Sequence, residues 1–528
     1  MKLVFTGKTP SLPDPDPRRD RSVGMPSLSE RLLERHRARV LNPSEAPLAT
    51  GSVTPGGTVY RYNRVMLCHR LLGDDEQLAD LDAAMSVQGL QVNRERLGTE
   101  VSPRFHRADL TLGARATPST VDAWRVLQSL HGAVDGGRCS PDVLGRMRLE
   151  HVLVGSALQG AGSLRATDRV GAPGSGSPET MDYLDGAYAG RLPVDLVLPM
   201  PQRRPLSSMP GGRRPVVAVL DTGVPRSHPA FEVSERQEDA DTFVTVDSRL
   251  QDALCAEGDP ESPSIDDPWD EDPGGDTLTG EVASHFGHGT FIAGIIRQVA
   301  PDAQVRAIRV MHNDGVVYEN ECLEALATLA AEAERAREGD ETARPVDMVC
   351  LSFGYADEDP RDRASGGLKA VIDRLTAAGV PVVCAAGNFA STRPFYPAAF
   401  SAGAQPNQPV PVLSVGALNP NGSVAMFSNG GPWVTCFATG ASMVSAYPTN
   451  AAGTRTPQWA NPNAERYRES LDPDDFASGY AVWSGTSFAA PVLAGRLAAA
   501  MIEETDLAGQ DLPSVTHRVQ TALKKVGA

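Results

Sequence analysis

The sequence predicts an α/β protein in which a mostly parallel sheet has helices on both faces and follows a small α+β domain. Three observations predict it. From Pro215 to about Glu504, β-branched runs alternate with helical stretches. Residues 60–154 show a different rhythm of strand, helix, strand, helix and strand. Between the two, GSALQGAGSLRATDRVGAPGSGSPET is rich in Gly and Ser without sustained periodicity, as an exposed linker would be.

Residues 1–55 are rich in Pro, Ser and Arg and predict a disordered tail with at most one short helix near LSERLLERHRARV. Residues 56–155 form the small domain. VYRYNRVMLCHRLL reads as a strand, DDEQLADLDAAMSVQ as an acid-capped helix and FHRADLTLG as a strand. STVDAWRVLQSLHGAV then has helical spacing, and MRLEHVLVG closes as a strand. A weak run, LQVNRERLG, would complete a βαββαβ order. Residues 156–212 are linker and lead-in, and 213–528 form the large domain. Its strands are PVVAVLD, AQVRAIRVM, PVDMVCLSFG, VPVVCAAGN and VPVLSVGAL. Its helices are HGTFIAGIIRQV, ECLEALATLAAEAERARE, GGLKAVIDRLTAAG and one opening at Ser487. Such sheets place their chemistry at the carboxyl ends of the strands.

The chain has 528 residues, 41% of them hydrophobic, and a formal charge of −17. That charge argues against nucleic acid and anionic membrane as partners, since both need clustered Lys and Arg. The first residues hold only a very short apolar run, and no later stretch is long enough to span a bilayer, so the expected location is cytoplasmic. Seven cysteines without a framework fit a reducing compartment; Cys350 and Cys384, in strand-like runs, read as inert core thiols. No His/Cys spacing suggests zinc, and the expected cofactor is none.

Four polar residues stand at the ends of these elements. Asp221 ends PVVAVLD, His288 sits between two glycines at the start of an apolar helix, Asn388 closes PVVCAAGN and Ser487 opens the last helix. Each alone has an ordinary reading as turn Asp, structural His, turn Asn or capping Ser. Together they form the nucleophile set of acyl transfer: an acid, an imidazole, an amide donor and a hydroxyl.

DTGVPRSHPAF, GHGTFIAGII, VAPDAQVRAIRVM, LSFG, AAGN, YPAAF, VLSVGALNPNGSVAMFSNGG and SGTSFAAPVLAG, in this order, resemble the subtilisin-like serine proteases over roughly Arg213 to Glu504. The resemblance implies a serine endopeptidase acting on protein or peptide substrates. Asp221 would orient His288, His288 would take the proton of Ser487, and Asn388 with the Ser487 N–H would hold the oxyanion. Leu351, Ser352, Phe353 and Gly354 would pair with an extended substrate, with Ala386 and Gly387 beside them. Phe395 stands before Tyr396 and Pro397, where the family often has a small residue, and implies a shallow pocket for small side chains. Pro491 is expected where a missing N–H costs least.

The small domain is similar in architecture to the family's inhibitory propeptide, which implies a zymogen cut near Gly160 to Glu179; a fixed accessory domain is the alternative. A peptide ligase or macrocyclase, or a catalytically silent binding protein, could use the same fold. Between Asp221 and His288, the segment Glu232 to Glu281 holds 17 Asp and Glu against two Arg. A solvated acidic loop, a calcium-binding element and a surface for basic partners remain open there.

Overall fold

The computed structural model describes residues 3–6, 28–94, 97, 100–102, 105–113, 120–157, 190–236, 239, 241–256, 262–274, 280–358, 367–403, 408–454, 456–461, 466–504 and 506–527. The expected cut region between Gly160 and Glu179 lies outside them.

The N-terminal part contributes β1 (Leu3–Phe5), α1 (Glu30–Arg35), β2 (Ala38–Leu41), β3 (Thr58–Cys68), α2 (Asp75–Ser86), β4 (Leu90–Val92), β5 (Phe105–Leu112), α3 (Ala123–Asp135) and β6 (Met147–Gly155). Asp74 and Asp122 cap α2 and α3, accepting from Gln77 N at 3.1 Å and Trp124 N at 3.1 Å. The antiparallel sheet runs β6, β3, β5, β4, with Leu67, Leu149, Leu81 and Leu130 buried between it and the two helices.

Within the tail, the described residues 3–6 and 28–55 are more structured than the composition predicts. β2 pairs antiparallel with β3, and β1 pairs antiparallel with a strand of the large domain, Leu3 opposite Ala438. His36, just after α1, bridges Asp314 Oδ2 at 2.8 Å and the Tyr318 hydroxyl at 2.7 Å. All these partners are remote in sequence, so local propensity does not reveal them.

The large domain adds β7 (Val216–Asp221), β8 (Val233–Ser234), β9 (Val244–Val246), α4 (His288–Val299), β10 (Gln304–Arg309), β11 (Val316–Tyr318), α5 (Glu319–Arg337), β12 (Met348–Leu351), β13 (Phe353–Gly354), α6 (Gly367–Ala377), β14 (Val382–Ala385), β15 (Val412–Leu418), β16 (Cys436–Thr439), α7 (Thr486–Glu504) and α8 (Leu512–Val526). Its sheet has the order β1-β16-β15-β14-β12-β7-β10-β9-β8 and is parallel apart from β1. Strand alternation sends Val217 and Val219 of β7 to the face covered by α4 and α7, and Ala218 and Leu220 to the face covered by α5 and α6. The acidic segment is not merely a solvated loop. It supplies β8, β9 and the helix Ser248–Ala256, and its Asp247 and Asp270 are buried.

The two parts share strands. β6 pairs with β3 along its first half, while its second half lies between β11 and β13, Val154 standing opposite both Val316 and Gly354.

At the far end, buried Asp347 accepts from Val216 N at 2.8 Å, from Arg518 at 3.0 Å and from Arg213. Burial pushes its carboxyl up, yet the arginines hold it below the usual carboxylate range. Asp347→Ala strands the buried Arg518 cation and is expected to cost about 3–5 kcal/mol in urea unfolding; a change within about 0.5 kcal/mol would refute that account.

Candidate active site

Asp221 ends the central strand β7, and His288 is the first residue of α4, after Gly287 at φ 77°. That left-handed turn suits glycine, and a Cβ there would stand 2.6 Å from Pro448 Cδ and Tyr447 Cε2. Asp221 Oδ1 receives His288 Nδ1 at 2.7 Å, both side chains being buried. His288 Nε2 has no hydrogen-bond partner among the described residues.

Ser487 is the second residue of α7. Its Oγ donates to Ser352 O at 2.9 Å, and rotation about χ1 would redirect it. Its N–H donates to Ser156 O at 3.1 Å, and Asn388 Nδ2 donates to the same oxygen at 2.6 Å. A carbonyl from the end of β6 therefore occupies the two-donor pocket. Gly485 permits this approach, since a Cβ there would lie 2.5 Å from Ser156 O and 2.8 Å from Ala157 Cα. Ser156 N donates to Ser352 O at 2.9 Å, and Gly155 N to Gly315 O at 2.9 Å.

Ser352, Phe353 and Gly354 meet β6 directly, whereas the other expected substrate residues meet the body of the domain. Leu351 is a core residue; Ala386 donates to Val415 O at 2.9 Å, and Gly387 donates to Thr486 Oγ1 at 3.0 Å. Phe395 is buried against Gly354 and Gly387, where added Cβ atoms would stand 2.5 and 3.0 Å from its ring. Pro491 lies inside α7, past its first turn. Its missing N–H frees the Ser487 carbonyl, which accepts from Ser352 Oγ at 3.0 Å instead.

Several residues that orient the site carried no sequence signal. Thr486 donates through N and Oγ1 to Asn388 Oδ1, both at 2.9 Å, which turns the amide nitrogen toward Ser156 O. Thr222 N donates to Asp221 Oδ1 at 2.8 Å, and its Oγ1 accepts from Gly289 N at 3.0 Å. That hydroxyl donates to Asp270 Oδ2 at 2.8 Å, which also accepts from Gly287 N at 2.8 Å. One carboxylate of the acidic segment thus ties the turn after Asp221 to the turn before His288. Burial pushes Asp270 up to about 7, although Arg309 and these hydrogen bonds act against it.

Among the described residues, His151, Asp357 and Glu358 place ligand-type atoms within 4.8 Å of one another. The His151 ring nitrogens lie 2.8 Å from Glu319 and 2.6 Å from Glu358, so both donate and neither offers a lone pair to a metal. Arg148 completes the cluster at 3.2 Å from Glu319, and Tyr355 stacks on His151 at 4.4 Å. Burial lowers the His151 pKa, but Glu358 and Glu319 more than offset it and hold the ring at about 10. Burial raises Glu319, but Arg148 and His151 bring it down to about 2.

Residues 212–525 match the subtilase family, and the chain belongs to that family. It is 26% identical to the serine protease AprX of Bacillus subtilis (strain 168) over 56% of this chain and 65% of that one. It is 29% identical to subtilisin DY of Bacillus licheniformis over 31% of this chain and 55% of that one. The match therefore spans less than two thirds of either relative. A solved cold-adapted subtilisin-like serine proteinase aligns at 20% identity and a TM-score of 0.36 over 60% of this chain and 85% of that one. No helix among the described residues is long and apolar enough to cross a membrane.

Two measurements probe these networks. Asp270→Ala leaves the Thr222 hydroxyl and the Gly287 N–H without their acceptor and is expected to destabilise the chain by about 1–3 kcal/mol. A wild-type melting curve for that variant would refute the role. The His151 charge stabilises the docked strand fully below its free value of 6.5, and this contribution is lost as pH rises through about 10. Glu319 contributes fully above 4.5 and loses its contribution as pH falls toward about 2. In a Ser487→Ala background, the melting temperature lost through His151→Gln should be greatest between these limits and fade above pH 10; a pH-independent loss would contradict the ion pairs.

Proposed function

We propose that this subtilase is a serine endopeptidase made as a zymogen, with its own residues 152–157 lying in the cleft as the first substrate. The position of Ser156 O between Ser487 N–H and Asn388 Nδ2 carries this reading. The chain on either side supports it: β6 adds as an extended strand between β11 and β13, as a bound peptide would.

In this reading His288 Nε2 takes the proton of Ser487 Oγ as that oxygen attacks the Ser156 carbonyl carbon. The oxyanion forms against the two donors, assisted by the positive end of α7. Asp221 holds Nδ1–H and stabilises the imidazolium. His288 then protonates the Ala157 nitrogen as the Ser156–Ala157 bond breaks, and water releases the acyl group by the reverse proton path. The scissile bond would thus lie at the start of the linker, a few residues before the cut region between Gly160 and Glu179 named from sequence. The seven cysteines, all unpaired, agree with action in a reducing compartment. No step requires a metal.

Intact mass of the wild type should show a break after Ser156, and Ser487→Ala should stay whole. Fluorophosphonate should label the wild type alone. Labelling without any cut would make residues 56–155 a permanent accessory domain, a product with joined ends would mark a ligase, and absence of labelling would favour a silent binding protein. Asn388→Ala is expected to slow cleavage by about 10²–10³; an unchanged rate would remove the amide from the oxyanion role.

A further inference from the structure

Gly155 precedes the residue whose carbonyl lies in the two-donor pocket, and its backbone is not in the left-handed region, so any residue could adopt it. Space is what excludes a side chain. A Cβ on Gly155 would stand 2.6 Å from both Cδ2 and Nε2 of His285 and 3.3 Å from Met311 Cε. His285 is fully buried three residues before His288. Its backbone N–H donates to Asn313 O at 2.8 Å, and its Nδ1 lies 3.1 Å from Ser284 Oγ. On its other side the ring abuts Gly315, at φ 88°, where a Cβ would collide with the imidazole. The rings of His288 and Trp483 stand 5.3 and 6.3 Å away. Gly155, at the end of β6, and Gly315, in the turn before β11, thus both pack against the ring.

We infer that His285 is a specificity-determining residue that fills the subsite for the residue preceding the cleaved one and restricts that position to glycine. The inference rests on the reading of Ser156–Ala157 as the scissile bond and names the substrate class: extended segments with an apolar stretch, then glycine, then a small residue. Leu153 and Val154 supply the apolar stretch, both buried among Met311, Val317 and Phe353. Phe395 narrows the neighbouring pocket and fits the small residue. Flexible Gly-Ser or Gly-Ala junctions that follow aliphatic residues have this composition.

The self-processed wild type is offered two peptides that match residues 150–160 and differ only by Gly or Ala at the position of Gly155. Cleavage of the glycine peptide about 10- to 100-fold faster is expected, the range that a forced overpacking produces. Equal rates overturn the proposal. In the full chain, Gly155→Ala should slow self-cleavage by a similar factor, and Gly155→Ala with His285→Ala should recover the rate of His285→Ala alone. A double variant that stays as slow as Gly155→Ala, while His285→Ala labels and cuts, also overturns it. If His285→Ala fails to label with fluorophosphonate, the wild-type peptide comparison decides alone. A wild type that labels but cuts neither itself nor the glycine peptide overturns the scissile-bond reading, and the proposal with it.

Discussion

The carbonyl of Ser156, held by one backbone N–H and one side-chain amide, is the interaction on which the rest of this architecture depends. It joins a strand of the small domain to the N-terminus of α7, where unpaired N–H groups and the helix dipole favour an electron-rich oxygen. The fit requires glycine at 485 and an amide turned by Thr486. It also draws on Pro491, which leaves the Ser487 carbonyl to Ser352 and so fixes the mouth of the helix against the turn between β12 and β13.

β6 has two roles because a strand has two edges and two ends. Its first half completes the antiparallel sheet of the small domain, and its second half is paired on both edges by the large one. Backbone pairing tolerates many sequences, so selectivity must come from the side-chain spaces beside the strand. Here those spaces are tight, with His285 against Gly155 and Phe395 against Gly354 and Gly387. Ion pairs of His151 with Glu319 and Glu358, and of Arg35 with Asp314, add charge complementarity between the N-terminal part and the large domain.

Much of the candidate site is legible in the sequence because Asp221, His288, Asn388 and Ser487 terminate elements with strong periodicity. The orienting shell is not. Thr222 and Thr486 look like ordinary residues of a turn and a helix start, and Asp270 is one of 17 acids in a segment whose composition suggests solvent. Its role depends on being buried 2.8 Å from both Thr222 and Gly287, and composition holds no information about burial. His285 is hidden in the same way, since its significance comes from Gly155 and Gly315, each far from it in the chain.

By itself the sequence determined the alternation of strands and helices, the strand-helix order of residues 58–155 and the residue types at the ends of the large domain's elements. These are set by local periodicity and capping chemistry, which act over a few residues. Only the tertiary structure decided that β1 joins the distant sheet, that β6 enters the cleft and that Ser156, at the very start of the linker, meets Ser487. Those outcomes rest on strand pairing and close packing between segments hundreds of residues apart, and such contacts have no signature in either segment alone.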